Sequence, residues 1–132
     1  MKQTYTGGCH CGAVRYQADI DLSQGTLKCN CSICSKSRTW LAAIGKAEFR
    51  LERGGDALTD YRFGPQRIHH MFCKHCGVKC YGHVDQPDAA FVAVVVSTLE
   101  NVPDAELAAL PVMYVNGRND DFNSPPQETR HL

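Results

Sequence analysis

The segment Cys73-Lys-His-Cys-Gly77 is a C-x-x-C motif followed by glycine, typical of a tight turn that aims two sulfur atoms at one metal ion. A second pair, Cys9-x-Cys11, lies near the start of the chain, and residues two apart in an extended segment point to the same side. Together the four cysteines predict one closed four-sulfur zinc site, which ties residue 11 to residue 73, 73 − 11 = 62 positions apart. Metal binding of this kind contributes on the order of 10 kcal/mol to folding.

Three further cysteines form the group Cys29-Asn-Cys-Ser-Ile-Cys34, which supplies three sulfurs to a second metal ion. Three protein ligands leave one coordination position for water or substrate, as in catalytic zinc sites. Cys80 is the remaining cysteine, and two interpretations of it stay open. It either packs as a small apolar side chain or completes the second site. In the second case both zinc sites are closed and the protein is a zinc-stapled scaffold.

The composition indicates one globular domain. The chain has 132 residues, of which 43% are hydrophobic and 21% charged, and this excludes disorder as the main state. We place the domain at residues 1–118 and predict that the polar, turn-rich residues 119–132 form a loosely ordered tail. The 14 basic and 14 acidic residues balance, which argues against nucleic acid or an anionic membrane surface as a partner.

The cysteine content also bears on the compartment. No run of about 18 apolar residues is present, and the N-terminal segment lacks the apolar region of a signal peptide. We therefore expect a cytoplasmic protein that does not span a membrane. Thiols stay reduced in the cytoplasm, which favours metal ligation over disulfides for the eight cysteines.

Short segments of alternating or β-branched residues predict a mainly β fold with at most one or two short helices. The segment 89–97 is the most apolar and is expected to be a central strand. A short helix is predicted at 104–110, between two prolines, and a single helical turn at 31–35. The other strands are predicted at 12–19, 39–44, 47–51, 58–63, 67–72 and 80–84.

Three motifs give the chain a family resemblance: Gly7-Gly-Cys-His-Cys-Gly-Ala-Val-Arg-Tyr16, Cys29-Asn-Cys-Ser-Ile-Cys-Ser-Lys36 and Phe72-Cys-Lys-His-Cys-Gly77. With the ending Tyr114-Val-Asn-Gly-Arg118, the sequence resembles short bacterial members of the glutathione-dependent formaldehyde-activating enzyme family, whose relatives include the centromere protein V domain.

The resemblance implies a β-tent fold of small antiparallel sheets carrying two zinc ions. It implies a structural zinc bound by Cys9, Cys11, Cys73 and Cys76, and a catalytic zinc bound by Cys29, Cys31 and Cys34. The implied activity is that of a carbon–sulfur lyase that condenses glutathione with formaldehyde or another small aldehyde. A three-thiolate zinc can be lost or its ligands oxidised in air, so the second site is expected to be labile.

Residues near the motifs supply further candidates. Lys36 and Arg38 follow the three-cysteine group and are candidates for binding a substrate carboxylate. His10 and His75 lie inside the cysteine motifs and are expected to point away from the metal. His69 and His70 are adjacent on a predicted strand, so they face opposite sides. Against the enzyme hypothesis stands a non-catalytic zinc-stapled binding module with two closed sites.

Overall fold

Ten strands form two sheets in a computed structural model that covers residues 1–132. The smaller sheet has three strands in the order β1-β2-β5, and the larger has seven in the order β10-β3-β4-β9-β8-β7-β6. The strands are β1 (Gln3–Gly8), β2 (Arg15–Ile20), β3 (Thr26–Cys29), β4 (Trp40–Ile44), β5 (Phe49–Arg53), β6 (Leu58–Tyr61), β7 (Ile68–Cys73), β8 (Lys79–Gln86), β9 (Ala89–Val95) and β10 (Val112–Val115).

The mainly β prediction is confirmed. Only two short α-helices are present, α1 (Ser32–Ser37) and α2 (Asp104–Ala108). The apolar β9 is the fourth of the seven strands in the larger sheet, so the expected central strand is confirmed. Strand pairs are antiparallel except for β3 and β10, which pair in parallel. None of the helices has the length and apolar character that crossing a membrane requires.

The two sheets share one hydrophobic core. Tyr16 from the smaller sheet is fully buried, and its hydroxyl lies 2.6 Å from the hydroxyl oxygen of Thr98. The ring of Phe49 lies between those of Tyr16 and Tyr81, with centroid distances of 5.2 and 4.4 Å. Val94 from the centre of the larger sheet completes this core. Apolar burial thus fixes the smaller sheet against the larger one.

Strands β1, β3 and β10 were not predicted, and β5 begins later than expected. Residues 46–48 form a 3-10 turn, so the strand predicted at 47–51 begins at Phe49. Near the end of the sequence, the Lys28 ammonium donates to the main-chain oxygen of Leu132 (3.3 Å), and the Leu132 side chain is buried. The domain boundary at residue 118 stays a prediction.

Candidate metal centres and the cavity beside them

Four cysteines from two distant loops meet in what we call the first cluster: Cys9, Cys11, Cys73 and Cys76. Their sulfur atoms all lie within 4.8 Å of one another, and the Cys11 sulfur is 3.7 Å from those of Cys9 and Cys73. Tetrahedral zinc with Zn–S bonds of about 2.3 Å separates its sulfur ligands by about 3.8 Å. The donor type, number and spacing therefore fit a structural zinc ion.

The backbone around the first cluster is arranged to stabilise thiolates. The amide of Val14 donates to the Cys9 sulfur (3.3 Å), and the amide of His75 donates to the Cys73 sulfur (3.4 Å). A hydrogen bond from the amide of Val78 is the main cause that lowers the pKa of Cys76 to about 6. His75 is exposed and belongs to no ligand group, and the same holds for His10.

Three cysteines form the second cluster: Cys29, Cys31 and Cys34, with sulfur atoms within 4.8 Å of one another. Cys29 ends β3, Cys31 is the N-cap of α1, and Cys34 lies in that helix. The strand-to-helix turn is held by a hydrogen bond from the Ser35 amide to the Cys31 carbonyl oxygen (2.9 Å). A single turn of chain therefore brings three sulfurs to one point.

Protons are shared unequally within the second cluster. Hydrogen bonding with the Cys29 thiol is the leading cause that lowers the pKa of Cys31, and the same neighbour raises the pKa of Cys34. Three thiolates this close repel one another, so ionisation of all three needs a cation among them. The cluster is therefore a cation-binding arrangement with soft sulfur donors, which suits zinc.

Cys80 does not belong to the second cluster. It is fully buried in the main core, which also contains Cys9 and Cys73 of the first cluster. Its thiol donates to the carbonyl oxygen of Val78 (3.8 Å), and burial raises its pKa to about 12. The structure thus agrees with the packed-cysteine interpretation, and no histidine completes the second cluster either.

Residues 116–118, which lie in a segment that carries the sequence resemblance, support the second cluster. The Asn30 side chain donates to the side-chain oxygen of Asn116 (3.0 Å) and accepts from the Arg118 amide (3.0 Å). The backbone of Gly117 lies so close to the Cys29 sulfur that a Cβ at this position would be less than 3.0 Å from it. Residues 116–118 therefore form one wall of the cluster.

The second cluster opens into a cavity of about 540 Å³. Most of the lining is apolar, and it includes side chains from β4, β7, β8 and β9. The polar residues that line it include Ser32, His70, Lys79, Arg118 and Asp120. Another cavity, of about 420 Å³, is lined by Lys2, Asp19 and Met113 among others and contains none of the cysteines. The three cysteines of the second cluster therefore lie at the cavity of about 540 Å³, together with His70 and Lys79.

A buried histidine and a lysine line this cavity together. His70 is 6% exposed, and its Nδ1 lies 2.8 Å from the Lys79 ammonium. A protonated lysine only donates, so Nδ1 accepts and the ring hydrogen lies on Nε2. That Nε2 is buried and has no hydrogen-bond partner. Burial first, and then the Lys79 charge, lower the pKa of His70 to about 4, and burial also lowers the pKa of Lys79.

The candidates chosen for their closeness in sequence lie elsewhere. Lys36 and Arg38 are exposed, at the end of α1 and at its C-cap, and neither lines the cavity. Their role in substrate binding stays a prediction. Arg118 and Lys79, which the sequence interpretation did not propose, are the cations at the cavity. The only sequence signal for Arg118 was its place in the resemblance motif.

A third group of possible ligands consists of His69, His83 and Asp85. The two imidazole rings are parallel, with their centroids 4.3 Å apart, and the Nδ1 of His69 bonds the Asp60 carboxylate while that of His83 bonds the Asp85 carboxylate. The Lys46 ammonium is also paired with Asp85. Because lone pairs in parallel rings do not converge, this group is a carboxylate-anchored histidine stack rather than a formed metal site.

Comparison with known proteins extends these observations. The family model described as glutathione-dependent formaldehyde-activating enzyme matches residues 4–116. Among solved structures, the crystal structure of a Rhodobacter sphaeroides protein is similar, with 29% sequence identity and a TM-score of 0.70. The match covers 82% of this chain and 99% of that protein's chain. The similarity therefore extends over most of the chain.

Proposed function

Since the chain belongs to the glutathione-dependent formaldehyde-activating enzyme family, we propose that it is a zinc-dependent enzyme that forms and cleaves the carbon–sulfur bond of a thiol–aldehyde adduct. The thiol is glutathione and the aldehyde is formaldehyde or another small aldehyde. The observation that carries this proposal is a cluster of three cysteines, without a fourth protein ligand, at the edge of a cavity of about 540 Å³.

The two clusters have different roles in this proposal. Cys9, Cys11, Cys73 and Cys76 hold a structural zinc ion, because four sulfurs complete a tetrahedral set. Cys29, Cys31 and Cys34 hold a catalytic zinc ion that is more easily lost. When bound there, zinc supplies a centre that favours the thiolate form of an incoming thiol. Sulfur ligand sets of this kind persist in reducing compartments, and we place the protein in the cytoplasm.

His70 and Lys79 supply the proton in the addition. The thiolate sulfur attacks the aldehyde carbon, the carbon–sulfur bond forms, and the carbonyl π electrons become an alkoxide oxygen. The Nε2–H of His70 donates to that oxygen while the Lys79 ammonium passes a proton to Nδ1. Lys79 regains the proton that the thiol lost, so the adduct forms with no net change in proton count. Cleavage follows the same steps in reverse.

Arg118 orients the thiol component. Its amide is fixed by Asn30, and its guanidinium donates to the Ser35 hydroxyl (3.2 Å), which leaves other N–H groups unused beside the cavity. A guanidinium pairs well with a planar carboxylate, and glutathione carries two carboxylates. Arg118 is therefore proposed to bind one of them.

A pair of matched substitutions tests the division of roles. Cys31→Ser is expected to abolish turnover and leave the fold intact, whereas Cys76→Ser is expected to unfold the chain. Turnover is measured as catalysed exchange between glutathione and isotopically labelled formaldehyde by NMR, and folding by circular dichroism. Equal thermal destabilisation by both substitutions would contradict the split.

Zinc content gives an independent test. Anaerobically purified protein is expected to contain about two zinc ions per chain, of which one is labile and responds to glutathione. Two equally inert zinc ions with no response to thiols would instead favour a non-catalytic, zinc-stapled binding module.

A further inference from the structure

Large apolar side chains surround the cavity at the protein surface. Phe63, Ile68, Phe91 and Phe122 all line it, and each is at least 37% exposed, with Phe122 at 58%. Tyr61, also exposed, stacks on Phe63 with ring centroids 5.7 Å apart. Exposed apolar side chains gathered in one place mark a binding surface, whereas single ones are ordinary. We call Phe63, Ile68, Phe91 and Phe122 the apolar rim.

Much of the remaining lining of the cavity is also apolar. Ile33, Leu41, Val84 and Ala93 line the cavity. The charged side chains that line the cavity are few: Lys79, which bonds His70; Arg118, which bonds Ser35 through one of its N–H groups; and Asp120. A cavity of about 540 Å³ is in the size range that encloses most of a small organic ligand. The hydroxymethyl group of a formaldehyde adduct would leave this apolar wall uncovered.

We propose that the aldehyde handled at this site carries an apolar arm, an alkyl chain of several carbons or an aryl group, that lies against the apolar rim. The inference rests on the proposed function, because glutathione offers carboxylates, amides and an ammonium and no apolar arm of its own. The apolar part of the adduct must then come from the aldehyde. The reaction is unchanged: the thiol sulfur bonds the aldehyde carbon, the carbonyl becomes a hydroxyl, and no oxidant or reductant takes part.

Stable thioethers test the arm directly, without turnover. The dissociation constants of S-methylglutathione, S-butylglutathione and S-hexylglutathione are measured by isothermal titration calorimetry on the zinc-loaded protein. Each methylene buried against apolar surface strengthens binding by about fourfold. Because some methylenes remain in water, the hexyl compound is expected to bind at least about tenfold more tightly than the methyl compound.

Two single substitutions give a matched comparison. Phe122→Ala removes an exposed part of the apolar rim and is expected to reduce the hexyl-over-methyl preference at least about threefold. Met113→Ala removes an equally exposed apolar side chain that does not line this cavity, and it is expected to leave the preference unchanged. Circular dichroism of both variants checks that they are folded.

Several outcomes would overturn the inference. Equal affinity for the three thioethers would overturn the proposal that the aldehyde carries an apolar arm. The proposed function would still stand, since the glutathione part of each compound would still bind. No binding by any thioether, with no response of the zinc to glutathione, would overturn the proposed function as well. A dimer in analytical ultracentrifugation that Phe122→Ser dissociates and Met113→Ser does not would assign the apolar rim to self-association instead.

Discussion

Replacing Gly117 by alanine tests whether the backbone beside Cys29 forms part of the second cluster. A methyl group at residue 117 would lie less than 3.0 Å from the Cys29 sulfur and 3.3 Å from the Cβ of Cys31. Favourable contacts between heavy atoms are at about 3.5–4.0 Å, so the Cys29 sulfur has to move by more than about 0.5 Å. Metal–ligand distances tolerate only about 0.2 Å. The substitution therefore displaces one of three ligands from its working position.

The size of the effect follows from the cost of overpacking a tight site. Such contacts cost about 1–3 kcal/mol. If only the zinc-bound state is destabilised by this amount, the affinity of the second cluster for zinc drops by roughly 5- to 150-fold. The first cluster shares no residue with this wall and is expected to keep its metal. The measurement is zinc per chain after dialysis against a graded series of chelator concentrations, together with the thermal unfolding midpoint.

Gly55→Ala is the matched control for Gly117→Ala. A Cβ at Gly55 would meet only the Leu51 side chain, at 3.7 Å, which is an ordinary contact. This variant is expected to bind both metal ions like the unmodified protein. Retention of both zinc ions by Gly117→Ala at the chelator concentrations that Gly55→Ala tolerates would refute the argument that a Cβ at residue 117 displaces the Cys29 sulfur.

Two further predictions concern buried groups outside the clusters. Cys80→Ala is expected to keep two zinc ions per chain and to lower the free energy of unfolding by about 1 kcal/mol, since it removes only packing; loss of one zinc ion in elemental analysis would make Cys80 a ligand. The pKa of His70 is lowered from 6.5 to about 4 in the folded protein, so the unfolded chain takes up that proton first as the pH falls. The unfolding free energy is therefore expected to decrease by up to about 3 kcal/mol between pH 6.5 and 4. Denaturant titrations at several pH values should show a shallower decrease for His70→Gln, and identical slopes would contradict a buried neutral imidazole.

Much of the sheet structure was predictable because its signal is local. The run of apolar, β-branched residues in β9 is typical of an interior strand, and the structure places it at the centre of the larger sheet. Strands β3 and β10 have only four residues each, and their parallel pairing depends on partners far apart in the chain. Thr26 makes this visible: its amide and hydroxyl both donate to the carbonyl oxygen of Pro111. No pattern within four residues encodes such a partner.

The candidate site likewise contains residues that could be predicted from the sequence and residues that could not. The three cysteines of the second cluster are neighbours in sequence, so their spacing alone grouped them. His70 lies on β7, Lys79 on β8, and Arg118 in the segment after β10. Only the order of the strands in the sheet brings these three residues to one cavity. Lys36 and Arg38 are close in sequence, yet both are exposed at the end of α1, away from the cavity. Nearness along the chain therefore identified the second cluster and gave no sign of the cavity residues that distant segments contribute.

The second cluster is complete within residues 29–34, whereas the first needs residues as far apart as 9 and 76. During synthesis at roughly 5–20 residues per second, the 76 − 34 = 42 residues that follow Cys34 up to and including Cys76 take about 2–8 s to add. For that interval the nascent chain presents a three-thiol segment while its four-sulfur site does not yet exist. A metal ion taken up there also binds the unfolded chain and so stabilises the fold less than one that awaits Cys76. The order of translation thus favours loading the second cluster before the first.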